Sequence, residues 1–496
     1  MTAVDEKGPV ISRGASVWAT RTAIALGVIL AVRIVSLWFN NTELFFDEAQ
    51  YWVWGNEPAF GYFSKPPLLA WIIGLTTAIF GDSEFAVRLP SPFLHTATAA
   101  MVFFSARRLF DSRTGFWAAM TYALLPAVTL SSELISTDVP LLFFWSAALL
   151  AFLELEEKDS RASAVMLGLA IGFGLMAKYA MVYFFICAAI YSLGAGDRPH
   201  VVTRKNFWIA AGIGLLILLP NMAWNAMNQF ATVGHTGENI GWGHGFPNFS
   251  GLGEFLASQF GVMGPLLFGI FIAGLFRLPR EGMNRQQWFL IAFSAPILAI
   301  ICFQAVMSKA YANWAALTYV AGTILVADLI ANRIPDWWLK ASTGLHVLVF
   351  AVLSIVVAFS QPGQLPLPED FKPFARTQGS REIANAARAM LARGEFSAIL
   401  VDDRRMASLM SYYLRDLGLP VLSWRAGAAP RDHFEMTRPY QDNPLTPALY
   451  MTRQRNPARV ISSFDDAEFV GEVTPSAGEI EHFWFYMLQD FRAQQG

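Results

Sequence analysis

The segment F-F-D-E-A-Q-Y-W places two adjacent carboxylates, Asp47 and Glu48, directly after the apolar run 17–39. That run is long enough to cross a bilayer, which takes about 20 apolar residues. Ionisable groups at a membrane boundary are costly unless they are paired, hydrated or used in chemistry. Neighbouring side chains diverge, so one carboxylate of the two faces any given site. Such a carboxylate can act as a general base or orient an acceptor hydroxyl. The structural alternative is a plain cap on a following helix, A-Q-Y-W-V-W.

Further candidates recur along the chain. In G-Y-F-S-K-P-P-L-L-A-W, Pro66 and Pro67 bar a helix and present Lys65 on a rigid turn. Asp138 follows Glu133 in S-S-E-L-I-S-T-D-V-P-L, where Thr137 or Asp138 ahead of Pro140 fits a helix start. Lys178 interrupts an apolar stretch, and Lys309 closes another. A lone lysine at such a place commonly just snorkels to the interface. Lys65, Arg88, Lys178 and Lys309 together are better explained as a set for holding phosphate, which Lys and Arg suit. The chemistry this suggests is group transfer from an anionic, membrane-bound donor. The basic residues would neutralise a phosphate leaving group while a carboxylate orients or deprotonates the acceptor. His235 and His244 lie nine apart, a weak spacing for a metal, and receive no assignment.

The elements that must carry these residues follow from composition. The chain has 496 residues, 54% hydrophobic and 15% charged, against about 25% charged in a soluble domain. It reads as an integral membrane protein whose transmembrane domain is 1–360, followed by a soluble domain at 361–496. The basic, then apolar N-terminus has too long an apolar run for a signal peptide and reads as a retained first span. Further spans are expected at 86–106, 115–130, 137–153, 163–177, 180–195, 206–224, 255–276, 287–307, 311–331 and 339–360. The stretch 67–80 is short and looks re-entrant or interfacial. Basic residues such as Arg107, Arg108, Arg113, Lys158, Arg161, Arg204, Lys205, Arg277 and Arg333 all fall on one set of connections. Lys7 and Arg198 join them. The positive-inside rule then puts the N-terminus in the cytoplasm. The Asp47 loop, the connection 225–254 and the C-terminal domain fall on the outer face, the periplasm of a Gram-negative cell. The connection 225–254 reads as plain irregular chain, with an amphipathic or ligand-covering loop as the alternative. After the proline-rich linker Q-P-G-Q-L-P-L-P come a helix at 380–393, a strand in F-S-A-I-L-V-D-D, a helix at 404–416 and strands near 420–424, 447–452, 465–473 and 481–488. This is a small α/β domain without a glycine-rich nucleotide fingerprint. A net charge of −2 and the absence of a Lys/Arg tract argue against nucleic acid as a partner. Cys187 and Cys302 lie in apolar runs and read as small core residues.

The ordered motifs F-D-E-A-Q-Y-W, G-Y-F-S-K-P-P-L-L-A-W, F-G-D-S-E-F-A-V-R-L-P-S and S-T-D-V-P-L resemble one family. It is the C-type membrane glycosyltransferases of the protein O-mannosyltransferase and lipid A aminoarabinose transferase superfamily. The resemblance covers about 17–330. It implies a polytopic α-helical GT-C fold with about 11–13 spans in the bacterial inner membrane. It also implies a polyprenyl-phosphate-linked sugar donor and a lipid or glycan acceptor such as lipid A or core lipopolysaccharide. Asp47 is then the main catalytic carboxylate, with Glu48 and Asp138 beside it. Lys65, Arg88 and Lys178 are then the donor-phosphate ligands, and Lys309 joins them by its place on the same face. Some family members use a divalent metal; Asp47 and Glu48 are the residues it would take here, and no sequence feature fixes such a site. The aminoarabinose branch commonly has Glu before the K-P-P lysine, where this chain has Ser64. The form found here is closer to transferases of other sugars, galacturonic acid among them. A protein O-mannosyltransferase-like activity and, in a different class, a lipid-linked sugar flippase are the competing readings. The flippase reading predicts internal repeats and mid-membrane charges, whereas these charges cluster at one face.

Overall fold

A computed structural model describes residues 13–194, 200–241, 247–333, 335–365, 372–480 and 482–492. Lys7, Arg198, His244 and the end of the proline-rich linker lie outside the described residues. The chain packs as two units. One comprises the residues up to Leu37, Ser91–Met222 and Gly237–Ser354; the other comprises Trp38–Pro90, Ala223–Thr236 and the chain from Ile355 onward.

The first unit is helical. Among the described residues, five helices in the chain are long and apolar enough to cross a membrane: Ser16–Trp38, Asp138–Lys158, Lys205–Met227, Arg285–Met307 and Lys340–Phe359. Several runs expected as single spans are shorter or broken. The run 115–130 is split into Ser112–Ala123 and Pro126–Ser131, because Pro126 cannot continue the preceding helix. The run 255–276 is two helices, Phe249–Met263 and Pro265–Glu281, meeting at 116°. Gly264 makes that corner at φ +87°, and a Cβ there would lie 2.1 Å from Nε2 of His346. Only glycine fits both the backbone angle and the space. Glu133 accepts a 2.5 Å hydrogen bond from the Ser36 hydroxyl, which ties the first helix into this unit.

The second unit joins the Asp47 region to the C-terminal domain. Its five-stranded sheet has β1 (Ala398–Val401), β2 (Val421–Ser423), β3 (Ala448–Thr452), β4 (Phe464–Val473) and β5 (Phe483–Phe491) in the order β2-β1-β3-β5-β4. β1 runs parallel to both β2 and β3, while β5 is antiparallel to β3 and β4. One core gathers Leu400, Trp424, Tyr440, Tyr450, Phe464 and Leu488. The helices Ser380–Leu391 and Arg404–Tyr413 and all five strand positions agree with the sequence reading to within a few residues. The connection 225–254 differs: Ala231–Ile240 is helical. Its two glycines hide that helix from propensity. Tertiary anchoring supplies what propensity lacks, through the Thr232 hydroxyl donating to the Tyr62 carbonyl at 2.6 Å.

The stretch 67–80 is the 13-residue helix Leu68–Phe80. At 1.5 Å per residue it is about 20 Å long, short of a 30 Å hydrocarbon core. It packs on the helix Phe46–Asn56 through facing glycines. A Cβ on Gly55 would lie 2.8 Å from the Ala70 carbonyl oxygen, and one on Gly74 would lie 2.6 Å from that of Gly55. Both clashes are with backbone, so neither side chain can be absorbed by a rotamer change. Gly74→Val is expected to destabilise this unit by about 1–3 kcal/mol through overpacking. Thermal unfolding of the purified protein checks this, and an unchanged midpoint would show that the two helices are free to separate.

Candidate active site

The helix Phe46–Asn56 carries both opening carboxylates in its first turn, where the helix dipole favours negative charge. Phe45 stands at the cap position, and its amide donates to Oε2 of Glu48 at 2.9 Å. Glu48 turns inward and is 1% exposed. Arg88, also 1% exposed, ends the short helix Glu84–Arg88 and meets it with two prongs, Nε to Oε1 at 2.9 Å and Nη2 to Oε2 at 2.7 Å. The remaining donors of Arg88 reach the Thr42 carbonyl and hydroxyl and the Glu43 carbonyl at 2.8–3.1 Å. Every N–H of this guanidinium is answered inside the protein. Glu43 in turn receives the Ser380 amide at 2.6 Å, at the start of the helix Ser380–Leu391, and burial raises its pKa.

Asp47 points the other way. Its side chain is 34% exposed and forms an ion pair with Arg404, Nη2 to Oδ1 at 3.2 Å. Arg404 opens the helix Arg404–Tyr413, capped by Asp403, whose carboxylate accepts from the Met406 amide at 2.9 Å. This helix leaves the C-terminal end of β1. Because β1 lies between β2 and β3, with connections leaving to either side, that end is the topological switch point where α/β sheets open a crevice. Asp402 beside it accepts from the hydroxyls of Tyr450 and Thr452 at 2.7 and 2.8 Å, and burial raises its pKa. The guanidinium of Arg376 lies 4.6 Å from the ring of Phe45, and those of Arg404 and Arg405 lie 4.9 and 5.9 Å from the ring of Phe46.

Lys65 sits on a turn pinned to the same helix. Tyr62 stacks on Trp54 at 4.5 Å and donates its hydroxyl to the Trp54 carbonyl at 2.7 Å, while its amide donates to the Lys65 carbonyl at 3.2 Å. Pro67 then caps Leu68–Phe80. His235, in contact with the ring of Phe63, lies near both Lys65 and Arg404. Burial first, and then these two cations, push its imidazole down to about 4, so it is neutral at pH 7. Asp47, Arg404, Lys65 and His235 therefore form one electrostatic neighbourhood.

The other expected residues belong to the first unit. Asp138 begins the helix Asp138–Lys158 and is 8% exposed. It accepts from Nζ of Lys178 and Nδ2 of Asn313, both at 2.7 Å. Lys178 ends the helix Arg161–Ala177 in an extended conformation. Lys309 is exposed, with its ammonium 5.3 Å from the ring of Tyr311. Among the described residues, no group of three or more His, Cys, Asp or Glu is placed to hold a metal ion.

Two participants escaped the sequence reading. Arg404 was legible only as part of D-D-R-R at a strand end, and Asn313 only as a polar residue in Y-A-N-W. A cleft of about 680 Å³ beside Trp52, Asp82 and Arg415 contains none of the expected site residues.

A partly exposed acid at a helix N-terminus, paired with an arginine, in a helical membrane protein with an appended α/β domain, has the features of a membrane-bound group transferase. The comparisons make the class specific. Residues 64–224 match the family described as dolichyl-phosphate-mannose-protein mannosyltransferase. The chain is 34% identical to lipid A galacturonosyltransferase RgtD of Rhizobium johnstonii over 83% of its own length and 86% of that protein's. An undecaprenyl phosphate-alpha-4-amino-4-deoxy-L-arabinose arabinosyl transferase of Pseudomonas fluorescens is 27% identical over 46% of this chain and 41% of its own. Crystal structures of ArnT from Cupriavidus metallidurans, without ligand and bound to undecaprenyl phosphate, share the fold, with TM-scores of 0.66 and 0.65 at 15% and 16% identity. Each covers 95% of this chain and 98% of that one. The chain belongs to the C-type membrane glycosyltransferases of the protein mannosyltransferase and lipid A sugar transferase superfamily. It is a multi-pass membrane protein and a glycosyltransferase.

Removing one partner of a buried pair leaves an uncompensated charge, at a cost of about 3–5 kcal/mol. Arg88→Met is therefore expected to lower the unfolding midpoint far more than Arg404→Met, whose partner is a third exposed. Thermal unfolding in one detergent compares the two; equal shifts would contradict the assigned difference.

Proposed function

We propose that this enzyme transfers an acidic sugar, galacturonic acid, from a polyprenyl-phosphate donor to lipid A or core lipopolysaccharide at the periplasmic face of the bacterial inner membrane. The observation that carries this reading is the placement of Asp47, a third exposed in the first turn of a helix and paired with Arg404 at 3.2 Å. The similarity to a lipid A galacturonosyltransferase over most of both chains supports the sugar and the acceptor. Ser64 beside Lys65 agrees with it, since a neutral residue there offers no acid to an amino sugar. The one-sided distribution of basic connections supports an N-terminus in the cytoplasm and the site on the opposite face.

The reaction forms a bond between the acceptor oxygen and the sugar's anomeric carbon and breaks the bond from that carbon to the phosphate oxygen. When the acceptor is a hydroxyl, its proton passes to the Asp47 carboxylate. The polyprenyl phosphate leaves with the bonding electron pair, and Lys65 neutralises the charge. An anionic phosphate acceptor would need no base, and Asp47 would then only orient it. Glu48 and Arg88 act by position: with both groups satisfied by each other, they fix the turn that aims Asp47 outward. For Lys178 and Lys309, phosphate contact is proposed from the sequence, with Asp138 and Asn313 holding Lys178 extended. The C-terminal domain is proposed to contribute Arg404 to the site.

Asp47→Asn keeps the shape and removes the base. It is expected to lower kcat on a hydroxyl acceptor by about 10²–10⁴-fold with folding unchanged. Purified full-length protein, a polyprenyl-phosphate galacturonic acid donor and lipid A, followed by mass spectrometry, measure this; wild-type turnover by the variant would remove Asp47 from the mechanism.

A further inference from the structure

We infer that Arg404 is the residue that selects an acidic sugar: its guanidinium takes the sugar carboxylate of the donor and, in doing so, lets go of Asp47. This rests on the transferase reading above and names what that reading leaves open, the group that recognises the sugar.

The two arginine–carboxylate pairs of this unit differ in kind. Glu48–Arg88 is buried and two-pronged, with no donor to spare. Asp47–Arg404 is an ion pair whose closest approach is 3.2 Å, between side chains that are each about a third exposed. Such a pair holds weakly in water and exchanges partners readily. Arg404 is nevertheless held in place by other means. It lies over the ring of Phe46, and its backbone is fixed by the Asp403 cap at the end of β1. A planar guanidinium held by its stem with one edge lightly engaged is suited to a second carboxylate, which it can grip with two parallel hydrogen bonds.

The surroundings favour an anion. Lys65 is close enough to act on the same His235. Asp432 also feels Arg404, but its carboxylate is occupied by the amides of Phe434 and Glu435 at 2.8 and 3.0 Å. Arg405, alongside, is engaged by Glu479 at 2.6 Å, and Arg376 by the same carboxylate at 3.5 Å. Arg404 therefore has Asp47 as its paired acid in this structure. A uronate carboxylate would replace Asp47 charge for charge. It would also return Asp47 to the acceptor only when the acidic sugar is present, so that recognition and activation are one event. A neutral hexose offers no group to displace Asp47, and an amino sugar brings a cation to a cationic neighbourhood.

The test uses full-length protein in lipid nanodiscs and two polyprenyl-phosphate donors differing only at the sugar's C6, galacturonosyl and galactosyl. Arg404→Gln is expected to lower kcat/KM for the galacturonosyl donor by about 10²-fold, mainly through KM. It should raise turnover of the galactosyl donor, because Asp47 is no longer held by Arg404, so that the preference collapses. Arg404→Lys, which keeps charge but not the fork, should recover part of the loss and serves as the readout if the glutamine variant does not fold. Arg425→Gln, which breaks an exposed pair with Asp442, is the control expected to behave as wild type. Equal losses on both donors would mean that Arg404 holds phosphate or structure and would overturn the inference, as would an unchanged preference. For the release of Asp47, Asp47→Asn should bind the galacturonosyl donor several-fold more tightly than wild type; equal or weaker binding contradicts it. A wild-type protein inactive on the galacturonosyl donor would instead refute the proposed function.

Discussion

The buried pair of Glu48 and Arg88 is the constraint on which the site depends. A guanidinium that is 1% exposed must have all its donors answered, and here a carboxylate, a hydroxyl and two carbonyls answer them. All four of those groups belong to the chain between Thr42 and Glu48, so one side chain gathers the whole approach to the helix Phe46–Asn56. The helix cannot start elsewhere without stranding a charge. Since successive helical residues diverge by roughly 100°, holding Glu48 inward obliges Asp47 to face out. The glycine pair at 55 and 74 fixes the far end of the same helix against Leu68–Phe80, the helix that follows the Lys65 turn.

Two adjacent carboxylates thus receive two arginines under opposite conditions, one buried and saturated, the other a third exposed and loosely held. The first arrangement positions; the second can exchange. The appended α/β domain is part of this division, because Arg404 comes from its switch point, the place where sheets of this kind present ligand-binding groups. On this account the domain is a source of sugar selectivity built into the same compact unit as Asp47.

Much of this was legible in the sequence, and the rest was hidden for physical reasons. Apolar runs and the change of composition near residue 360 showed a helical membrane protein with a small α/β domain, and alternation placed the strands well. Local signals also showed that Asp47 and Glu48 would face different ways. What stayed hidden depends on distant partners. Arg88 reads as a phosphate ligand until the structure shows its donors exhausted on Glu48 and the backbone. Arg404 meets Asp47 only once the sheet has formed, and no local period announces that meeting. The corner at Gly264 and the helix Ala231–Ile240 were missed because each rests on tertiary contacts, with His346 and Tyr62 respectively, that override the local pattern. Conversely, Asp138 and Lys178 read separately as acid and base but are joined at 2.7 Å.

The most direct test of the central claim is the mass of lipid A and core lipopolysaccharide from the source bacterium with and without this gene. The account predicts that deletion removes one hexuronic acid increment from these glycolipids and that the intact gene restores it. Unchanged glycolipids, or loss of an aminopentose instead, would contradict it.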